Sequence, residues 1–167
     1  MALLSILKYP DSRLNLVAEP VRDFDDNLNL IIKDMAFTMY NSNGLGLAAT
    51  QVNIQKRIVV IDISEDQNHL MVLINPEITV FSNNKLFERE GCLSVVDVYE
   101  KVERSSNIIC KFMDQNGELR NLEAEGLLSR CIQHELDHLN GKLFIDRLSS
   151  LKRDRIRTKI NKLKKQT

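Results

Sequence analysis

The sequence predicts an α+β protein in which mostly antiparallel strands wrap a central buried helix, with a second helix before them and a third at the C-terminus. Three observations carry this. Apolar residues recur at spacings of three and four in two places, first at Leu28, Ile31, Ile32, Met35, Ala36 and Met39, then from Leu127 to Leu139. Between these stretches run short apolar or alternating segments separated by turn formers, the pattern of strands. The later helical stretch also has few polar positions, so it belongs inside the protein rather than on it. With 167 residues, 43% of them hydrophobic and no long apolar run, residues 1–167 read as one soluble domain with a sizeable core.

The elements follow in order. A helix is predicted over about 25–43, with Gly44 as its stop. Strands are predicted at 57–62, 70–75, 77–81, 86–90, 98–103, 107–113 and 118–124. Asp114-Gln115-Asn116-Gly117 is the hairpin turn between the last two. The central helix runs from about 125 to 140 and ends at Gly141. At about 100° per residue, Leu127, Cys131, His134 and His138 fall within ~60° of one another. Leu128, Ile132, Leu136 and Leu139 occupy the adjoining face, leaving Ser129, Arg130, Gln133 and Asp137 as the polar side. Leu148, Leu151, Ile156, Ile160 and Leu163 give a partial stripe to a C-terminal helix at about 149–165.

The central helix carries His134-Glu135-Leu136-Asp137-His138. Imidazoles four residues apart share a helix face and can reach one metal ion, and Glu135 stands where a general base is needed. Such a five-residue match also occurs by chance, so the third ligand is the test. The extended protease pattern fails because Phe144 replaces its third histidine, and no glutamate follows Glu135. Beyond the motif only Asp146 and Asp154 remain, in or beside a basic tail. A third ligand therefore lies upstream. Cys92, in Glu90-Gly91-Cys92-Leu93-Ser94, is preferred, with His69 the competing nitrogen ligand in a polar stretch. Two histidines and one thiolate leave one tetrahedral position open, as a catalytic site requires.

A third segment is Gly44-Leu45-Gly46-Leu47-Ala48-Ala49-Thr50-Gln51. It lacks the third glycine and the preceding strand of a nucleotide loop. A glycine-rich strand with an accessible backbone suits an extended peptide pairing along it; the plainer alternative is a tight turn.

Together these segments closely resemble the peptide deformylases, which carry Gly-x-Gly-Leu-Ala-Ala-x-Gln, Glu-Gly-Cys-Leu-Ser and Gln-His-Glu-x-Asp-His-Leu-x-Gly in this order. Here they stand at 44–51, 90–94 and 133–141. Ile6-Leu7-Lys8-Tyr9-Pro10-Asp11 and Pro20-Val21 look like that family's opening, and the resemblance covers about residues 3 to 160. One departure is Val96, where members often have proline.

The resemblance implies a hydrolase that removes the formyl group from formyl-methionyl nascent polypeptides and releases formate. Cys92, His134 and His138 hold one divalent metal ion per chain. On the resemblance, the bound ion would activate a water, as hydroxide, for attack on the formyl carbon, with Glu135 as general base and then acid. The Leu93 N–H and the Gln51 amide meet the developing oxyanion, each such donor being worth about 2.7–4 kcal/mol elsewhere. Backbone groups of Leu45, Gly46 and Gly91 hold the peptide as an added strand. Leu127 and Cys131, on the histidine face, are candidates for the methionine pocket. Glu90 and Arg104 form a supporting pair, and Asp137 is a candidate to orient a neighbouring ring. Fe(II) is the implied physiological ion; Zn(II), Ni(II) or Co(II) are ions the isolated protein can carry, and intrinsic affinity favours Zn(II) over Fe(II).

Net charge is zero but unevenly placed. Residues 151–167 hold eight Lys or Arg and one acid, a formal +7, against 15 basic and 22 acidic residues and −7 elsewhere. By composition this tail is either a solvated terminal helix or a basic helix for RNA. The resemblance favours docking on the ribosome near the peptide exit. An odd cysteine count (Cys92, Cys110, Cys131) argues against a disulfide framework, and 2–7 is too short for a signal-peptide core. The expectation is a cytoplasmic monomer with no membrane or DNA partner. The rival readings are an HExxH metallopeptidase cleaving peptide bonds and an inactive ribosome-binding module.

Overall fold

The computed structural model describes residues 1–165; residues 166 and 167, the last two of the expected domain, lie outside the described residues. Helix α1 spans Asp26–Asn41, where the Asp25 side chain caps the first turn by accepting from the Leu28 N–H at 2.9 Å. Strands β1 (Gly46–Ala48), β2 (Ile58–Ile61), β3 (Met71–Phe81), β6 (Asn107–Met113) and β7 (Leu119–Glu125) form an antiparallel sheet in the order β1-β2-β3-β6-β7. Strands β4 (Lys85–Cys92) and β5 (Val95–Ser105) form a separate antiparallel pair. Helix α2 (Gly126–Leu139) packs against β1, β2, β6 and β7 on one side and β5 on the other, so the two sheets enclose it. Helix α3 (Ser150–Lys165) closes the chain.

The alternation within β2 explains how one sheet serves two layers. Val59 and Ile61 point to α2, joining Ile132, Leu136 and Leu139 in one cluster. Ile58 and Val60 point to α1, joining Leu28, Ile32, Met35 and Met39 in another. A strand buried on both faces reads as a continuous apolar run. A third cluster ties Val98 and Val102 of β5 to Leu14, Phe144, Leu148 and Ile156.

Several predicted details change. The segments 70–75 and 77–81 are one strand, because Pro76 sits at a bulge rather than ending the pairing. The register with β6 shifts between Ile74 and Glu77, and Asn75 takes a left-handed φ of 51°. Strands β4 and β5 run longer than 86–90 and 98–103 and are joined by a tight turn at Leu93 and Ser94. The left-handed residue after α1 is Asn43 (φ 58°), not Gly44. Gly44 has a different consequence: a Cβ there would stand 2.8 Å from Cδ1 of Leu93, so that side chain would have to move aside. Gln51 lies on a 3-10 turn, Ala49–Val52, and not on the strand itself. The polar side of α2 is not solvated, since Ser129, Gln133 and Asp137 are all buried. In α3 only Ile156 is buried, while Leu151 and Leu163 of the expected stripe are exposed. The Asp114–Gly117 turn forms as expected, with Gly117 left-handed and Asp114 accepting from the Asn116 and Glu118 N–H groups. Gly141 ends α2 at a φ of 76°.

Candidate active site

Residues remote in sequence converge where α2 passes the β4–β5 turn. A helical spacing of four places His134 and His138 together, with ring centroids 5.1 Å apart. The bulge between Glu90 and Cys92 at the end of β4 turns Cys92 towards them. Its Sγ lies 3.2 Å from Nε2 of His138, and one donor atom from each of the three residues falls within 4.8 Å of the others. His69 is not part of this group: it follows β2 in a loop where its N–H donates to Asp62.

The donor set fits a divalent cation. Burial alone would raise the thiol pKa of Cys92, but the imidazoles of His138 and His134 hold it well below the ordinary value, favouring the thiolate that binds metal. Burial alone would lower the pKa of His134, yet Glu135, Cys92 and Glu90 raise it well above the usual value. That is the mark of a negative potential around the ring, and it suits a metal ion as well as a proton. Nδ1 of His134 lies 2.9 Å from Oε1 of Glu90, which leaves Nε2 to turn towards the ligand cluster.

Glu90 is held in turn. Arg104 donates to both its oxygens at 2.8 Å and to Oδ2 of Asp137 at 2.7 Å. Arg147 then grips both oxygens of Asp137, at 2.7 and 2.8 Å. Among the described residues Asp137 therefore bonds to two guanidinium groups and not to a ring, and Glu90 supports the His134 imidazole. Arg104 and Glu90 are buried, and this chain of alternating charges leaves neither unpaired. Nothing in the sequence around Arg147 marked it for this position.

Glu135 is buried, and burial raises its carboxyl pKa above the ordinary value. Its Oε1 has no hydrogen-bond partner among the described residues, and its Oε2 would stand 2.5 Å from a Cβ at position 46, so Gly46 leaves the carboxylate its space. Gln51 is oriented from both ends. Its Oε1 accepts from the Ala48 N–H at 3.0 Å, while Nε2 points to Ser94 Oγ at 3.1 Å and Cys92 Sγ at 3.6 Å.

A cavity of about 440 Å³ opens onto these groups, lined by Leu45, Gly46, Gln51, Glu90, Gly91, Cys92, Leu93, Leu127, Cys131, His134 and Glu135. His138, Arg104 and Asp137 stand behind it. Strand β1 is the edge of its sheet and Gly44, Leu45 and Gly46 border the cavity, so extended backbone can be offered to a ligand. Burial pushes the Cys131 thiol up to about 12, so this wall is neutral. Arg89, Tyr99 and Arg130 also line the mouth, and the sequence reading missed them. Two-residue periodicity along β4 and β5 was the available signal for Arg89 and Tyr99, and the spacing of four before His134 was the signal for Arg130.

The polypeptide deformylase family model matches residues 3–154. The chain is 54% identical over 162 residues to a peptide deformylase of Cellvibrio japonicus, covering 97% of this chain and 96% of that one. A crystal structure of a peptide deformylase from Legionella pneumophila superposes with a TM-score of 0.92 at 45% identity, covering 98% and 96% of the two chains. One from Ehrlichia chaffeensis in complex with actinonin gives 0.92 at 40% identity, with 97% and 98% covered.

Proposed function

The chain belongs to the polypeptide deformylase family, hydrolases of the formyl amide bond, and from that premise we propose that it deformylates formyl-methionyl nascent polypeptides at a divalent ion held by Cys92, His134 and His138. The observation that supports this most is the convergence of those donors beside a buried carboxylate with an unpartnered oxygen. A bound ion supplies Lewis acidity to the carbonyl and to water. Glu135 takes the proton of the attacking water and returns it to the amine as the C–N bond breaks and formate leaves. The raised pKa of Glu135 suits both halves of that transfer. Gln51 Nε2 and the Leu93 N–H steady the carbonyl oxygen as it gains charge. Leu45, Gly46 and Gly91 hold the peptide backbone, and Leu127 and Cys131 receive the methionine side chain. Fe(II) is the working ion, a choice open to metal analysis after anaerobic purification.

The test is formate release from formyl-Met-Ala-Ser beside an N-blocked, unformylated peptide. Cleavage of the second at an internal bond would replace this reading with a metallopeptidase.

We read the chain as one cytoplasmic, monomeric catalytic domain whose α3 docks on the ribosome. Arg155, Arg157, Lys159 and Lys162 are exposed on α3, and no described helix is long and apolar enough to cross a membrane. Deleting from Lys152 should barely change kcat/KM on a free formylated tripeptide but strongly weaken ribosome binding. In the intact protein that binding should fall steadily between about 50 and 200 mM salt. Replacing Arg155, Arg157 and Lys162 with glutamine asks the same question while keeping the Ile156 anchor. Unchanged ribosome affinity in both variants would leave α3 a solvated packing helix.

A further inference from the structure

The β4–β5 pair presents charges beside the cleft that the deformylation chemistry does not use. Arg89 stands directly opposite Lys101 and Phe87 opposite Glu103, and residues opposed across an antiparallel pair share a face. The Tyr99 ring lies against Gly91, which places it on the same cleft-lining side. On the other face Glu90, Val102 and Arg104 are buried. Arg130 joins the strip from α2, its Nη2 donating to the Arg89 carbonyl at 2.8 Å.

Arg89, Lys101 and Arg130 are not ion-paired among the described residues. Like charges directly opposed on a sheet are destabilising, so the Arg89–Lys101 pairing needs a compensating reason. The carboxylates that line the cavity do not supply one. Glu90 is engaged by Arg104 and His134, and Glu135 is buried at the base. Glu103 lies a further step out along the strand. Lys101 Nζ stands 5.8 Å over the Phe87 ring, and Nε of Arg130 is buried without a hydrogen-bond partner among the described residues.

We propose that this strip is a subsite for acidic side chains at the second or third residue of the substrate, which rests on the deformylase reading above. The spacing sets the position. Arg130 is one helical turn, ~6 Å, from His134, and Arg89 is two strand residues, ~6.7 Å, from Gly91. An extended peptide advances about 3.3 Å per residue, so the second residue beyond the reacting end arrives at these cations.

The experiment compares kcat/KM for the C-terminally amidated peptides formyl-Met-Glu-Glu and formyl-Met-Lys-Lys, each taken relative to formyl-Met-Ala-Ser with the same protein. At low salt the intact enzyme should favour the acidic peptide over the basic one roughly tenfold, chiefly through KM, as several rim charges acting together allow. The ratio should fall towards one in R89Q/K101Q/R130Q and at high salt. R89Q alone, at an exposed side chain, should lower it by about half. Equal rates for the two peptides, or a preference that survives the triple substitution, would overturn the proposal while leaving the deformylase reading intact. So would a triple variant with weaker ribosome affinity but the same peptide ratio, which would assign the strip to RNA phosphates. No turnover of formyl-Met-Ala-Ser by the intact enzyme would remove both readings.

Discussion

Cys92→Ala should lose both its metal and its turnover while retaining its fold. The thiolate is one of three converging donors among the described residues, and the remaining histidine, His69, sits in a loop beside Asp62 and cannot replace it. Disturbing a group one step outside a metal's ligands typically costs 10–100-fold in affinity, so losing a ligand should cost at least about 10²-fold. The fold should survive because Cys92 is only half-buried at the end of β4, and the pairing of β4 with β5 is made by backbone groups that the substitution leaves in place. Metal content by elemental analysis, with circular dichroism as the check on folding, decides the matter. Full stoichiometry in a folded variant would exclude Cys92 as a ligand.

Glu135→Ala should do the opposite to the metal and nearly the same to the rate. Its carboxylate is not among the three donors, so the ion should stay at full occupancy. With the proton acceptor gone, kcat should fall by at least ~10²-fold, about 2.7 kcal/mol of transition-state stabilisation. Opening the buried site could admit water that partly substitutes as base, so Glu135→Gln, which keeps the volume, is the companion variant. A near-normal kcat in both would mean that another group moves the proton.

The sequence by itself determined the features that depend on spacing along one element. A spacing of four from His134 to His138 puts both rings on one helix face, and Asp114 to Gly117 carries the residues of a hairpin turn. The alternation from 107 to 124 marked the β6–β7 hairpin because its partners are adjacent in the chain. The apolar run at 58–61 and the sparse polar positions on α2 marked burial, which follows from composition. The family motifs agreed with the residue-level preference for Cys92 as third ligand and added the likeness in chemistry.

Tertiary structure decided whatever depends on which remote segments meet. Cys92 was preferred over His69 by reasoning, but it reaches His138 only because the β4 bulge packs against α2, 46 residues away in sequence. Glu90 and not Asp137 supports the imidazole, although Asp137 is a neighbour of both histidines in the chain. It points away from the rings, to a face that Arg104 and Arg147 cover. No local pattern reveals Arg147, because a buried charge selects its partner by proximity after folding and desolvation makes that choice costly to leave unmet. Pro76 misled for the same reason: its missing N–H normally ends pairing, but the register shift on β3 absorbs it. Spacing fixes what one element offers, and packing fixes which offers meet.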